Sequence, residues 1–204
     1  MFRTFIALLA FSLMPLGTHA QDQKELRQTH EITQKSTQKT TAARYLGLDM
    51  VELVGGTGEK TDHGRLALHW KVGDYRIFKN PMKLSLAGSY ALYNLSSTDA
   101  NGGHKLRDVG LTPTALFHFR NHFWGMRPFL EMGVGFHYLT QKKVSEKNFS
   151  TNFQFGDHIS VGFEFGKRRD YRINYQFQHL SNGGIESPNP GINFHLISFG
   201  ARLH

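Results

Sequence analysis

An eight-stranded antiparallel β-barrel that crosses a membrane is the fold class this sequence predicts, on three observations. From Arg44 onward apolar and polar residues alternate with period two through most of the chain. The alternating runs are about 9–12 residues long, the length a tilted strand needs to cross a bilayer. The less apolar face is rich in small residues and mixed charge, with Arg65, Lys71, Glu131, Glu164 and Arg172. That mixture suits a narrow polar lumen, while the unbroken Leu/Phe/Val face suits lipid. A mean hydropathy of −0.40 is compatible with this, because alternation keeps the average low.

The N-terminus sets the compartment. Arg3 gives a short basic start, Phe5 to Leu16 is apolar apart from Ser12 and Pro15, and Thr18-His19-Ala20 supplies small residues for cleavage. The run is too short to span a bilayer as a helix, which takes roughly 20 residues. Residues 1–20 are therefore expected to be a secretory signal, cut before Gln21. The formal charge of +8 becomes +7 without Arg3, since residues 1–20 contain no acid. The 204 residues include no cysteine, so an exported chain must draw its stability from burial or from lipid. Residues 21–43 are Gln/Thr/Lys-rich without aromatics and read as a flexible periplasmic lead. The barrel is expected over 44–204.

Eight strands are expected in order. The first, near Arg44–Val54, is the least clean. Arg65–Val72 sets Leu66, Leu68, Trp70 and Val72 against Arg65, Ala67, His69 and Lys71. Lys83–Tyr93 and Val109–Arg120 repeat the division, and Arg127–Leu139 sets Leu130, Met132, Val134, Phe136 and Tyr138 against Glu131, Gly133, Gly135 and His137. Phe153–Phe165, Tyr171–Ser181 and Asn193–Leu203 complete the count. Residues 55–64, 95–106 and 141–150 read as exterior loops, and 73–82, 121–126 and 167–170 as links at the other rim. With a periplasmic N-terminus, the seventh strand ends at the cell exterior. Tyr45, Trp70, Tyr93, Trp124 and Tyr138 are expected in interface girdles. Eight strands leave a lumen filled by side chains, so a pore is not expected.

The seventh strand carries an anomaly. Its apolar face runs Tyr171, Ile173, Tyr175, Phe177 and then continues into His179 and Ser181. Residues i and i+2 share a face about 6.5–7 Å apart, so an imidazole stands within reach of a hydroxyl on the lipid side. A serine needs such a base to become a nucleophile. The tripeptide alone is common. Its continuation, His179-Leu-Ser-Asn-Gly-Gly-Ile-Glu-Ser-Pro-Asn-Pro-Gly-Ile-Asn193, is not. It resembles the signature of the lipid A 3-O-deacylase family of outer-membrane hydrolases: His-x-Ser-Asn, a small residue, Gly, then Pro-Asn-x-Gly-Ile before the last strand.

The resemblance implies a barrel enzyme of the outer membrane that removes an ester-linked 3-hydroxyacyl chain from lipid A. It implies Ser181 as nucleophile, His179 as general base, and a turn in which Asn182, Gly184 and Asn189 donate to the oxyanion. The partner implied is lipid A, or lipopolysaccharide, in the outer leaflet. No cofactor, metal or nucleic acid is implied, and a homodimer stays open. The sequence departs from the pattern at Asn193, where the family has a glutamate; a neutral amide orients an imidazole but does not stabilise the imidazolium as a carboxylate does.

Asp157 is the alternative acid, because it interrupts the otherwise apolar face of Phe153–Phe165. A three-residue link between the sixth and seventh strands would set it opposite Ser181, and a five-residue link opposite His179. Glu186, in the loop, has no fixed face. The rival readings are a non-catalytic barrel, structural or adhesive, and an outer-membrane phospholipase. Lys105, Lys142, Lys143 and Lys147 stand in expected exterior loops, where they are candidates for lipid A phosphates.

Overall fold

A computed structural model describes residues 27–28, 47–77, 79–95, 105–144 and 147–203. The expected signal (1–20), the lead (21–43, of which only Arg27 and Gln28 are described, as helix) and Tyr45 lie outside them. Within Ala43–His204 the strands are β1 Leu48–Gly58, β2 Thr61–Ile77, β3 Asn80–Leu95, β4 Lys105–His118, β5 Arg127–Leu139, β6 Lys143–Val144, β7 Lys147–Asn148, β8 Phe153–Phe165, β9 Tyr171–Ser181 and β10 Ile192–Arg202. Eight of them close an antiparallel barrel in the order β1-β10-β9-β8-β5-β4-β3-β2, while β6 and β7 form a separate hairpin.

Period-two alternation sets the faces. Along β4 every second residue is buried from Leu106 to His118, and Val109 and Leu111 between them are exposed. The outward face, with Leu53, Val134, Phe136, Tyr138, Ile197 and Phe199, is apolar and open. On a soluble protein such a surface would be an association hazard; on a barrel it is the lipid contact.

Inside, the two ends differ. The middle holds a charged network around Arg172, which donates to Glu131 Oε2 and to Glu52 Oε2, both at 2.9 Å. Glu52 also meets His69 Nε2 at 2.8 Å and Asn174 Nδ2 at 3.1 Å. Towards the rim where β9 ends, the lumen is apolar, packed with Tyr93, Leu106, Leu139, Leu180, Phe194 and Leu196. Val144 and Phe149, from the segment between β5 and β8, fold into this plug. The expected polar lumen describes the middle and not this rim, and the expectation is corrected also for Tyr93. It points inward, stacks on His63 at 4.5 Å and donates to Asp108 Oδ2 at 2.9 Å, and it belongs to no girdle.

Two expected loops are strand instead. Residues 55–64 continue β1 and β2 up to a two-residue turn at Glu59–Lys60. Their glycines serve close approach: a Cβ on Gly56 would lie 2.1 Å from the His195 carbonyl oxygen, and one on Gly58 2.5 Å from the Phe194 ring. Residues 73–77 likewise belong to β2 and 80–82 to β3, and a register shift between Lys71 and Gly73 breaks the alternation that would have marked them. The first strand begins at Leu48 and runs to Gly58, four residues beyond its expected end. The seventh barrel strand, β9, spans the expected residues.

Candidate active site

β9 lies between β8 and β10, and the two registers assemble the site. A five-residue turn, Gly166–Asp170, joins β8 to β9, so Asp157 pairs with His179 and Phe155 with Ser181. On the other side Asn193 of β10 also pairs with His179. An imidazole thus stands between an amide on one neighbouring strand and a carboxylate on the other, all three on the outward face. Directly opposed residues on one face have Cβ atoms about 4.5–5.5 Å apart.

Of the two neighbours, the amide makes the contact. His179 Nδ1 lies 2.7 Å from Asn193 Oδ1. Oδ1 only accepts, so Nδ1 carries the proton and Nε2 is left as an acceptor. The Asp157 carboxylate makes no hydrogen bond among the described residues, and nor does Ser181 Oγ. Ser181 and His179 are half-buried and Asp157 and Asn193 are exposed. The serine hydroxyl and Nε2 are therefore both uncommitted, two residues apart on one face.

The loop 182–191 is held from within. Asn182 is fully buried, and its Nδ2 donates to Phe149 O at 3.0 Å and Glu186 O at 2.7 Å. Its Oδ1 accepts from Gly184 N at 2.9 Å, and its own backbone N–H donates to Asn189 Oδ1 at 2.9 Å. The N–H groups of Asn182 and Gly184 are thus spent on the turn, and among the described residues Asn189 Nδ2 is left free to donate. The Gly183–Gly184 pair has φ of 64° and 80°, the left-handed region that favours glycine. Glu186 is exposed in this loop and makes no side-chain contact with His179.

Gly191, the glycine of the Pro-Asn-x-Gly-Ile stretch, packs against the imidazole. Its φ is +60°, and a Cβ there would lie 2.6 Å from His179 Cε1 and 3.1 Å from Nε2. The Lys147 ammonium donates to Gly191 O at 2.8 Å and pairs with Glu59 at 2.6 Å. Ser150 Oγ donates to Pro188 O at 3.0 Å. These contacts join segments 38 to 88 residues apart, which no local pattern encodes. Lys105 and Lys142 remain exposed.

A family model described as Lipid A 3-O-deacylase (PagL) matches residues 63–202. The crystal structure of the outer membrane enzyme PagL shares the fold, with a TM-score of 0.63 and 19% identity over 74% of this chain and 98% of that one. Barrel and family together make the chain an ester hydrolase of the outer membrane. It is 35% identical over 150 residues to the lipid A deacylase PagL of Bordetella bronchiseptica, covering 67% of this chain and 82% of the relative. The lipid A deacylase PagL of Pseudomonas aeruginosa is 24% identical over 154 residues, covering 74% and 84%. The chain belongs to the lipid A 3-O-deacylase (PagL) family.

Proposed function

We propose that the protein removes an ester-linked 3-hydroxyacyl chain from lipid A, with Ser181 as nucleophile and His179 as general base. The observation that carries this reading is the set of hydrogen bonds around His179. Asn193 fixes the Nδ1–H tautomer, and Nε2 is left open two residues along the same face from an unbonded serine hydroxyl, on the barrel face that meets lipid.

Ser181 Oγ attacks the acyl carbonyl carbon while its proton passes to His179 Nε2. Asn189 Nδ2 donates to the developing oxyanion, and Asn182 and Gly184 hold the turn that presents it. Collapse breaks the bond to the sugar oxygen, which leaves as an alcohol with the proton from Nε2. Water, deprotonated by His179, then attacks the acyl-enzyme; a 3-hydroxy fatty acid departs and Ser181 regains its proton. A carboxylate in a triad both orients the base and stabilises its cation. Here the two roles divide between strands: Asn193 orients, and Asp157, opposite His179 on β8, supplies the charge. An unpaired carboxylate on a lipid face is costly, which fits a partner that becomes cationic during turnover.

Mass spectrometry of lipid A from cells with and without the protein tests the substrate. Loss of one 3-hydroxyacyl chain is expected, together with a fluorophosphonate adduct mapped to Ser181. Unchanged lipid A alongside a folded barrel would sink the reading and favour a structural barrel or another lipid. The division of roles has its own test in kcat. Asn193→Ala is expected to lower it by about tenfold or more, the worth of one orienting hydrogen bond near 1.4 kcal/mol. Asp157→Asn is expected to lower it by a similar factor, and wild-type turnover in Asp157→Asn removes that residue from the mechanism.

A further inference from the structure

We propose that Lys147 is a positioning residue for His179, acting through the backbone of Gly191; this rests on the reading of His179 as the base. The imidazole is fixed at two edges. Asn193 Oδ1 holds Nδ1 at 2.7 Å. The opposite edge, Cε1 and Nε2, rests on Gly191, so closely that a Cβ there would lie 2.6 Å and 3.1 Å from those atoms. Nε2 is the atom that receives the serine proton, so the place of Gly191 sets the place of the acceptor.

Gly191 lies at the end of a ten-residue loop with φ of +60°, a conformation that its own sequence does not enforce. What holds it is the Lys147 ammonium, which donates to its carbonyl oxygen at 2.8 Å from the β6–β7 hairpin. The ammonium is held in turn by Glu59 at 2.6 Å, in the turn between β1 and β2. Three segments distant in sequence therefore meet at one cation beside the base. The same strap engages the loop twice more, through Ser150 Oγ to Pro188 O and Asn182 Nδ2 to Phe149 O, each at 3.0 Å. Phe149 is completely buried in the apolar plug, which roots the strap in the barrel mouth. Partly exposed ion pairs contribute little to global stability. The expected consequence of losing this one is misplacement of the base, to which proton transfer is acutely sensitive.

The test uses the full-length protein in detergent micelles, with kcat and KM on lipid A and the rate at which a soluble organophosphonate modifies Ser181. Lys147→Met is expected to lower kcat and phosphonylation by about ten- to hundredfold, with KM unchanged. Lys147→Arg, which can still reach both a carbonyl and a carboxylate, is expected to recover most of the loss. Wild-type kcat in Lys147→Met overturns the proposal. So does a loss that Arg does not relieve and that tracks loss of the folded, heat-modifiable gel mobility. If Lys147→Met does not fold, Glu59→Gln decides: a lower kcat at unchanged KM supports the role, and an unchanged kcat overturns it. Ser181→Ala and His179→Ala run alongside. Activity surviving in those two would fell the catalytic reading itself, whereas their inactivity beside a fully active Lys147→Met would fell only the positioning role.

Discussion

Ser181→Ala is expected to abolish the proposed deacylation and to leave the barrel as stable as the wild type. The loss expected in kcat is on the order of 10⁵-fold or more, because a serine and its base act as a unit and neither substitutes for the other. On the proposed mechanism, what would survive is the oxyanion donor and the bound geometry, acting on a water that must find His179 unaided. The stability half of the expectation follows from the hydroxyl's surroundings. Ser181 Oγ makes no hydrogen bond among the described residues, and the residue ends its strand. Such a substitution shifts unfolding by about 0.5 kcal/mol at most. Turnover of lipid A by both proteins, measured beside their urea-unfolding midpoints in micelles, checks the two halves together. Retained turnover would remove Ser181 from the mechanism. Lost turnover with a lowered midpoint would mean that the serine supports structure, and that its absence says nothing about chemistry.

The site was legible because it breaks a rule that the rest of the strand obeys. Period two on β9 assigns Tyr171, Ile173, Tyr175 and Phe177 to lipid, and the same count carries His179 and Ser181 outward, where polar groups are unusual. The parity of strand pairing was equally plain, and it brought Asp157 to either Ser181 or His179. Choosing between these needed the length of one turn, and the structure gives five residues. Glycine misled where its reason was tertiary. Gly56 and Gly58 read as loop, yet they are strand residues whose missing side chains admit the His195 carbonyl and the Phe194 ring. Gly191 joins both reasons at the site, a φ of +60° and the imidazole packed against it. The bulge near Lys71 hid the continuation of β2, because a shifted register interrupts the pattern by which strands are recognised. The strap at Lys147, Phe149 and Ser150 was invisible for a simpler reason, since its partners are other loops whose paths no periodicity records.

Arg172→Met is expected to be the most destabilising single change in the barrel, at about 3–5 kcal/mol, the usual cost of removing one partner from a buried ion pair. Arg172 is 3% exposed and spans the lumen, with one guanidinium nitrogen on Glu131 and the other on Glu52. Methionine fills most of the volume but leaves two carboxylates inside a wall of side chains. Glu52 keeps His69 and Asn174 as donors. Among the described residues Glu131 keeps only His158, at 3.7 Å, and is the more exposed to the loss. Adding Glu131→Gln to Arg172→Met is therefore expected to restore a substantial part of the stability, because it removes the charge left without a partner. His179 and Ser181, the proposed catalytic pair, stand on the opposite face of the same strand, so kcat at temperatures well below unfolding is expected to stay at the wild-type value. Denaturant titrations of the single and double variants, run beside turnover, separate these contributions. A loss under about 1 kcal/mol in the single variant would mean that water enters the lumen and solvates the carboxylates, and that the barrel's stability rests on its apolar plug and lipid-facing surface instead. A fall in kcat without a fall in stability would tie the lumen to the site through β9 itself, since Arg172 and His179 share that strand.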